Sequence, residues 1–469
     1  MGVYIHSVGV GVPARRLAIA DINAAWNRKG GHGHVAVCAE DEDALTLAWT
    51  AADAAIRASE IDPASIDGLW WGTTRPPFGE GPSHSMLAAS LRLRPSAFGA
   101  LTSGSTHCGI DALFAAADAV ASGSARTAIV VVSDALRPGV GTTLEARCGA
   151  GATAFVLRND AGPAMLGARV THAQPLLDRY RGDTELDTRD LYDGRLFREA
   201  IFLPIVGEVA GALATASPTA WSLPDPDGRL ATAVAKSAGI ALDSLSSPHI
   251  YSTIGDTGAA ASMLGAIDAL THRGTVAMLA YGGGRASGVT IEVTRSVAGA
   301  EHAAADVRGE GSSVSYADAL RTRRQLTSSG ETIAMGVPPE SALFARGANE
   351  MLQLLGARCA DCATINTPPS IHPHCIACGG PKMEPVELAR DGVVHTYVVN
   401  YTMPAPFVAP LPIAVIDLDD GSRVMLQVAD DGSNVEIGMR MKLVLRRYAY
   451  ERGAPVYGFK GVPVGKESA

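Results

Sequence analysis

The stretch THCGIDALFAAADAVASGSARTAIVVVSD, residues 106–134, decides the fold of this chain. Its last part, AIVVVS at 128–133, is an almost wholly apolar strand, as expected in a sheet covered on both faces. Residues 97–102 also read as a strand, so strand, turn, helix and strand follow one another and predict an α/β fold. The helix is indicated by apolar residues at i, i+3, i+4 spacing: Ile110, Leu113, Phe114, Ala117, Val120 and Ala121.

A cysteine, Cys108, stands at the predicted start of this helix, after the small-residue turn 103–106. The helix dipole and unpaired N–H groups at that position stabilise a thiolate. We therefore expect Cys108 to be a catalytic nucleophile; the alternative is a buried thiol that packs as a small hydrophobic group. His107 beside it would point the other way from an extended segment, and we rank it lower.

The same kind of unit recurs later in the chain. Thr257-Gly258 opens a second predicted helix, which leads through Gly274 to a strand at 276–280, again with a strand expected before the turn. Such a duplication predicts two similar halves facing each other within residues 1–295.

The pattern changes after residue 295. Residues 296–335 are rich in Ala, Gly and Ser with mixed charges and read as a linker. Residues 336–380 predict a helical hairpin and a cysteine motif. Residues 381–469 alternate with period 2, and Asp420-Gly421 joins two of the runs as a hairpin, which predicts a small all-β barrel.

The cysteine motif is the most specific pattern in the chain. Two Cys-x2-Cys pairs twelve residues apart supply four thiolates, which fill a tetrahedral Zn²⁺ shell and leave no open position. The predicted zinc is therefore structural; the alternative is an iron centre or a degenerate site. Its ligands are Cys359, Cys362, Cys375 and Cys378, with His372 and His374 as possible substitutes.

Length and charge exclude several classes of protein. A chain of 469 residues predicts two or three domains, and a net charge of −9 argues against nucleic acid or an anionic membrane as a partner. No apolar run of 18 residues and no secretory signal is present in the sequence. We expect a cytoplasmic protein with reduced thiols.

Taken together, these features resemble the thiolase superfamily, in particular its ketoacyl synthase III and hydroxymethylglutaryl-CoA synthase branch, fused to a zinc-ribbon OB-fold domain. The resemblance implies two similar αβαβα halves, then a rubredoxin-like zinc ribbon and an OB-fold barrel. The matching segments are GVGVP at 9–13, GTTRPPFGEG at 72–81, residues 106–134, IGDTGAAAS at 254–262 and YGGGRASG at 281–288.

The resemblance also implies a chemistry. The substrate would be an acyl-CoA or an acyl-carrier thioester, Cys108 would form an acyl-cysteine, and the protein would be a homodimer or a higher homo-oligomer. The backbone N–H groups of Cys108 and Gly283 would form the oxyanion hole. A run of glycines can offer N–H groups without obstruction, although such runs are more often only tight turns.

The chain departs from the family at several site positions. Asp225 replaces a histidine, Asp256 replaces an asparagine, and Thr74 stands where the synthases carry glutamate, with Glu80 six residues later. Carboxylates cannot donate hydrogen bonds to an enolate unless they are protonated. Asp225, Asp256, Glu80 and His249 are the candidate bases, although Asp256 could cap a helix and His249 could be structural.

These residues predict acyl-CoA-dependent carbon–carbon bond formation by Claisen or aldol condensation. Loss of the family histidine and asparagine leaves two alternatives: acyl transfer to an alcohol or amine, or retro-aldol or retro-Claisen cleavage of a CoA thioester. A third alternative is a non-catalytic CoA-binding scaffold within a thiolase complex.

Overall fold

The computed structural model describes residues 2–190, 193–326, 346–405, 407–429, 435–451 and 453–464. It divides into two compact units. The first unit contains the described residues up to 326 except Glu40–Glu42. The second contains Glu40–Glu42 and the described residues from 346 onward.

Most strands of the first unit belong to one mixed sheet. Its nine strands are β1 (Tyr4–Gly11), β4 (Gly68–Gly72), β5 (Phe98–Thr102), β6 (Thr127–Ala135), β7 (Ala150–Arg158), β8 (Ala164–Ala173), β11 (Ala220–Ser222), β12 (Gly274–Gly282) and β13 (Arg285–Val293). Their order is β11-β12-β13-β8-β1-β7-β6-β4-β5. Shorter strands lie outside this sheet: β2 (Arg15–Ala18), β3 (His34–Val37), β9 (Arg179–Tyr180), β10 (Arg189–Asp190) and β14 (Ser312–Ser313).

The sheet repeats one pairing scheme. In the first half β4 is parallel to β6, followed by antiparallel β7 and β1. In the second half β11 is parallel to β12, followed by antiparallel β13 and β8. A short pairing of β1 with β8, at Tyr4 and Ile5, joins the two halves. The predicted thiolase-like duplication is confirmed.

One helix of the first unit, α2, begins at a side-chain cap. Asp43 caps α2, because its Oδ1 accepts from the N–H groups of Leu45 and Thr46, both at 3.0 Å. None of the described helices has the length and apolarity to cross a bilayer. The helices are α1 (Ile19–Ala25), α2 (Ala44–Ser59), α3 (Ser83–Ser90), α4 (Cys108–Ala121), α5 (Gly194–Leu196), α6 (Leu203–Ala214), α7 (Leu230–Ala238), α8 (Ser247–Ile254), α9 (Ala261–Ala266), α10 (Ala300–Arg308) and α11 (Tyr316–Thr322), with a π-helical turn at Phe197–Phe202.

Two sequence predictions about this unit are wrong. The segment before Thr257 is α8 rather than a strand, and the helix after it is interrupted, with α9 between short 3₁₀ turns. Residues 296–326 are not a linker, because they form α10, β14 and α11 within the first unit. The alanines that suggested a linker pack into the core: Ala300, Ala303 and Ala304 are buried.

The second unit combines a cysteine ribbon with a barrel-like sheet. The ribbon consists of β15 (Leu355–Cys359), β16 (Ile365–Asn366) and β17 (Met383–Glu387), preceded by α12 (Ala348–Gln353). The rest of the predicted helical hairpin lies outside the described residues. The sheet follows the order β20-β19-β18-β21-β22. Its strands are β18 (Asp391–Asn400), β19 (Leu411–Leu418), β20 (Arg423–Gln427), β21 (Arg440–Glu451) and β22 (Ala454–Pro463).

The barrel follows the predicted alternation. Met441, Leu443 and Leu445 are fully buried on one face of β21, and the turn at Asp420-Gly421 joins β19 to β20 as expected. The edges of the sheet meet because the N–H of Ala429 donates to the carbonyl of Gly461 at 2.9 Å. The predicted OB-fold barrel is confirmed.

Candidate active site

A cavity of about 810 Å³ opens in the first unit. Its wall is built where parallel strands end: Thr74 follows β4, the loop Ser103–Thr106 follows β5, and Asp225 follows β11. Gly283 follows β12 at the same edge. Ligands of α/β proteins bind outside the carboxyl ends of parallel strands, and the volume is that of a small-molecule site.

The cavity separates the predicted site residues into two groups. Asp225, Asp256 and Gly283 line it, whereas Glu80 and His249 do not. Glu80 is exposed in the loop before α3, and His249 is exposed on α8. The structure therefore does not bring Glu80 or His249 to this cavity, and their role as a base stays a prediction.

Cys108 is the first residue of α4, as predicted, but its surroundings differ from those expected for a nucleophile. The residue is 2% exposed, packs in the apolar core and is absent from the cavity wall. Burial raises the pKa of the Cys108 thiol well above its usual value, and the Asp134 and Asp111 carboxylates raise it further. Desolvation therefore opposes the thiolate that the helix start was expected to stabilise.

The predicted oxyanion hole also requires correction. The backbone N–H of Cys108 donates to the carbonyl of Ser105 at 3.0 Å, so the turn already uses this donor. Gly283 lines the cavity with a φ of 59°, a conformation that favours glycine. Of the two predicted oxyanion-hole donors, only the backbone N–H of Gly283 therefore remains a candidate.

His107 has a structural environment. Its segment is helical rather than extended, and the ring is buried. Nδ1 hydrogen-bonds with Asp111 Oδ2 at 2.9 Å and Nε2 with Ser287 Oγ at 2.8 Å. Both ring nitrogens are engaged, so the side chain anchors the start of α4.

Asp225 is the most unusual carboxyl of the cavity wall. The residue is 7% exposed, and its Oδ1 accepts from the N–H groups of Leu230 (3.0 Å) and Ala231 (3.3 Å) at the start of α7. Its Oδ2 is buried and has no hydrogen-bond partner among the described residues. Burial raises the pKa of the Asp225 carboxyl to about 7. A carboxyl with such a pKa can both take up and release a proton near neutral pH.

Asp256 has a different environment, which the sequence did not reveal. Its Oδ2 accepts from Arg179 at 2.7 Å, and its Oδ1 accepts from the N–H of Gly258 at 2.9 Å. Arg179 also donates to Cys148 Sγ at 3.0 Å. Asp256 is therefore a paired carboxylate that shapes the cavity wall. Arg179 was missed because no local motif connects residues 77 positions apart.

Replacement of Arg179 tests this pairing. Arg179→Met leaves the Asp256 carboxylate without its cation, and Asp256 is only 7% exposed. Loss of one partner of a buried pair costs about 3–5 kcal/mol, so we expect the free energy of unfolding to fall by that amount in urea titrations. The double variant R179M/D256N removes the stranded charge and should recover part of the loss. Equal stability of R179M and wild type would contradict the pairing.

An aromatic cluster closes another part of the wall. Tyr281 packs edge-on against Phe197 and Phe202, with ring centroids 5.9 and 5.0 Å away. Its hydroxyl donates to Asp178 Oδ2 at 2.6 Å. Tyr281 and Asp178 both line the cavity, which therefore offers apolar and polar surfaces together.

The four ribbon cysteines converge as predicted. Their sulfur atoms all lie within 4.8 Å of one another; Cys359 and Cys378 are 3.6 Å apart, and Cys362 and Cys375 are 3.5 Å apart. A tetrahedral shell with Zn–S bonds of about 2.3 Å separates its sulfurs by about 3.8 Å, so the arrangement fits Zn²⁺. His372 and His374 are not part of this cluster.

Comparisons with known proteins found similar sequences and structures. The chain is 32% identical to a hydroxymethylglutaryl-CoA synthase of Pyrococcus horikoshii over 156 residues, 33% of this chain and 45% of that protein. It thus spans less than half the length of this relative. It is 26% identical to the synthase of Methanopyrus kandleri over 301 residues, 61% of this chain and 85% of that protein.

The remaining comparisons concern the fold and the barrel. A solved structure, MvaS in complex with 3-hydroxy-3-methylglutaryl coenzyme A, has a TM-score of 0.59 at 21% identity and covers 71% of this chain and 94% of its own. Residues 385–446 match the model of the ChsH2 C-terminal OB-fold domain. A DUF35 domain-containing scaffold protein of Methanocaldococcus jannaschii is 34% identical over 125 residues, 25% of this chain and 87% of that protein.

Proposed function

This chain belongs to the DUF35-domain family and joins its OB-fold domain to a thiolase-like domain, and we propose that the thiolase-like domain makes or breaks a carbon–carbon bond beside an acyl-CoA thioester. The observation that carries the proposal is Asp225, a buried cavity carboxyl with one unpartnered oxygen. Its position supports proton transfer to and from a substrate bound in the cavity.

The reaction requires a group that accepts a proton and later returns it. In the cleavage direction the Asp225 carboxylate takes the proton of a β-hydroxyl group, the Cα–Cβ bond breaks, and Cβ becomes a carbonyl. The electron pair remains on Cα as a thioester enolate, which is then protonated. The reverse sequence forms the bond. A pKa of about 7 suits both directions, because neither protonation state is costly at neutral pH.

Relatives support a thioester as the substrate. Two of the similar proteins are named hydroxymethylglutaryl-CoA synthases. One similar solved structure contains 3-hydroxy-3-methylglutaryl coenzyme A. Another similar structure is a hydroxymethylglutaryl synthase bound to an acyl-carrier protein, so a carrier-bound thioester is an equivalent donor.

Turnover assays test the proposal. Purified protein is incubated with β-hydroxyacyl-CoA thioesters, or with acetyl-CoA and an aldehyde or ketone, and the CoA species are separated by liquid chromatography. We expect conversion by the wild type and its loss in Asp225→Asn. CoA release that requires an alcohol or amine would favour acyl transfer. Thioester binding without any conversion would favour a non-catalytic scaffold.

We also propose that the protein is a homodimer formed through β5. Among the described residues β5 pairs only with β4, so its other edge is open, and Phe98 on it is 42% exposed. An open edge strand is a template for pairing with a second copy.

A charge on this strand tests the dimer. Ala100 is exposed on β5, so Ala100→Lys should leave the subunit folded and place two lysines close together across a twofold axis. We expect a monomer in light scattering after gel filtration. Ala214→Lys, an exposed position at the end of α6, is the matched control and should leave the dimer intact. A dimer that survives A100K would place the interface elsewhere.

The four-cysteine cluster is proposed to hold a structural Zn²⁺. Cys375 Sγ accepts from the N–H of Ala377 at 3.4 Å, a contact that supports a thiolate. Four protein ligands leave no place for a substrate, so the metal would stabilise the ribbon and take no part in the reaction.

A further inference from the structure

Thr106 lines the cavity, whereas Cys108, two residues later, does not. Thr106 is half-buried and lines the wall, as does the rest of the loop Ser103–Thr106. Cys108 lies two residues further on, within α4, and packs in the core. The turn before α4 therefore offers hydroxyl groups to a ligand, those of Ser103, Ser105 and Thr106, rather than a thiol.

The loop around Thr106 is held against the end of β12. Thr106 Oγ1 donates to the carbonyl of Tyr281 at 2.7 Å. A Cβ atom on Gly282 would lie 2.5 Å from that oxygen and 2.6 Å from the backbone N of His107, so the two segments are in direct contact. The contact fixes the position of the hydroxyl at the cavity wall.

In these contacts the Thr106 hydroxyl donates its proton to a backbone carbonyl rather than to a side chain that could act as a base. A threonine becomes a nucleophile only when a neighbouring group removes its proton. Here the proton points to a backbone carbonyl, which cannot take it. The nearest imidazole in sequence, His107, has both ring nitrogens engaged by Asp111 and Ser287.

We propose that Thr106 faces the thioester without attacking it, so that this enzyme works without an acyl-enzyme intermediate. This inference rests on the proposed function and narrows its substrate class. Without a covalent acyl group, the partner of the thioester enolate is a free aldehyde or ketone, and the cleaved substrate is a β-hydroxyacyl thioester. The reaction is then an aldol addition or its reverse, rather than a Claisen condensation in two half-reactions.

A gain of reactivity tests the position of Thr106. Thr106→Cys places a thiol at the cavity wall, where it should attack acetyl-CoA: a new S–C(acyl) bond forms, the bond to the CoA sulfur breaks, and CoA leaves as the free thiol with the cysteine proton. Intact-protein mass spectrometry after incubation with acetyl-CoA should show a single acyl group on T106C and on T106C/C108A. Wild type and C108A should show none.

The outcomes separate this inference from the proposed function. C108A should retain wild-type aldol turnover, because the thiol lies outside the cavity. An acyl adduct on the wild type that disappears in C108A and C108S overturns the inference, whereas conversion that depends on Asp225 would leave the proposed function standing. If T106C binds a thioether analogue of acetyl-CoA in calorimetry but is never acylated by acetyl-CoA, residue 106 does not face the thioester. Absence of analogue binding by the wild type contradicts the proposed function itself.

Discussion

Asp225→Asn is expected to lower the rate of carbon–carbon bond cleavage by about 10²–10⁴-fold, the usual contribution of a general acid–base group. Asn keeps an oxygen that can accept from Leu230 and Ala231, so the start of α7 remains capped. It cannot take a proton from a β-hydroxyl group. Steady-state kinetics with a β-hydroxyacyl-CoA should therefore show a lower kcat, whereas the affinity for the thioester changes little.

The pH dependence of the cleavage rate should also report proton transfer by Asp225. In the cleavage direction the active form is the Asp225 carboxylate, so the wild-type rate should rise with pH and level off above about pH 7, following the raised pKa. The residual activity of D225N should lack this inflection. A wild-type profile that is flat between pH 5 and 8 would contradict the assignment of Asp225 as the base.

Stability should depend on pH through the same carboxyl. Its pKa is higher in the folded protein than its ordinary value of 3.8, so the folded state holds this proton more tightly than the unfolded state. The resulting stabilisation is complete below pH 3.8 and is lost as the pH rises to about 7. D225N should therefore lose less stability than the wild type across this interval, which urea titrations at several pH values can measure.

Asp227 provides a matched control for Asp225. It also lines the cavity, and its Oδ1 accepts from the N–H groups of Arg229 at 2.9 Å and Leu230 at 3.0 Å. Asp227→Asn therefore changes the charge at a neighbouring carboxyl of the same helix start. We expect its rate to fall much less than that of D225N. Equal losses in both variants would indicate a general charge effect rather than proton transfer by Asp225.

Local patterns were sufficient for parts of the fold, and the family resemblance was sufficient for part of the site. The apolar spacing at 106–134 predicted α4 and β6, and the period-2 alternation within residues 381–469 predicted the strands of the barrel. Asp225 and Asp256 were found because they stand at two family positions, and both line the cavity.

The environment of Cys108 could not be predicted from its place at a helix start. Cys108 lies in phase with Ala112 and Ala116, which are fully buried, so the helix turns this side chain into the core. Thr106 precedes the first turn of α4, so the helical periodicity does not direct its side chain into the core. The pKa of the Cys108 thiol depends on both the helix dipole and desolvation. Desolvation is set by the residues that pack over the helix, and these come from distant segments of the chain. Arg179 illustrates the same limit, because only the folded chain brings it to Asp256.

Removal of the metal should produce the largest effect on stability. The ribbon is a three-stranded sheet in which β16 has only two residues, and such a sheet buries too little apolar surface to fold alone. Binding of Zn²⁺ to four thiolates supplies about 10–16 kcal/mol in comparable small domains. We therefore expect chelation, or Cys375→Ser, to unfold the ribbon and to release one equivalent of zinc.

The position of the cysteines makes this test specific. In calorimetry of the full chain, C375S should lower the unfolding temperature of the second unit. A colorimetric zinc indicator measures the released metal. Cys38→Ser is the matched control. Because Cys38 lies outside the cluster, this variant should retain the zinc. Purified protein without zinc, or C375S with an unchanged transition, would contradict the structural role. Because the cluster and the cavity belong to different units, C375S is also expected to leave the T106C adduct in place, which separates the stabilising metal from the chemistry at the thioester.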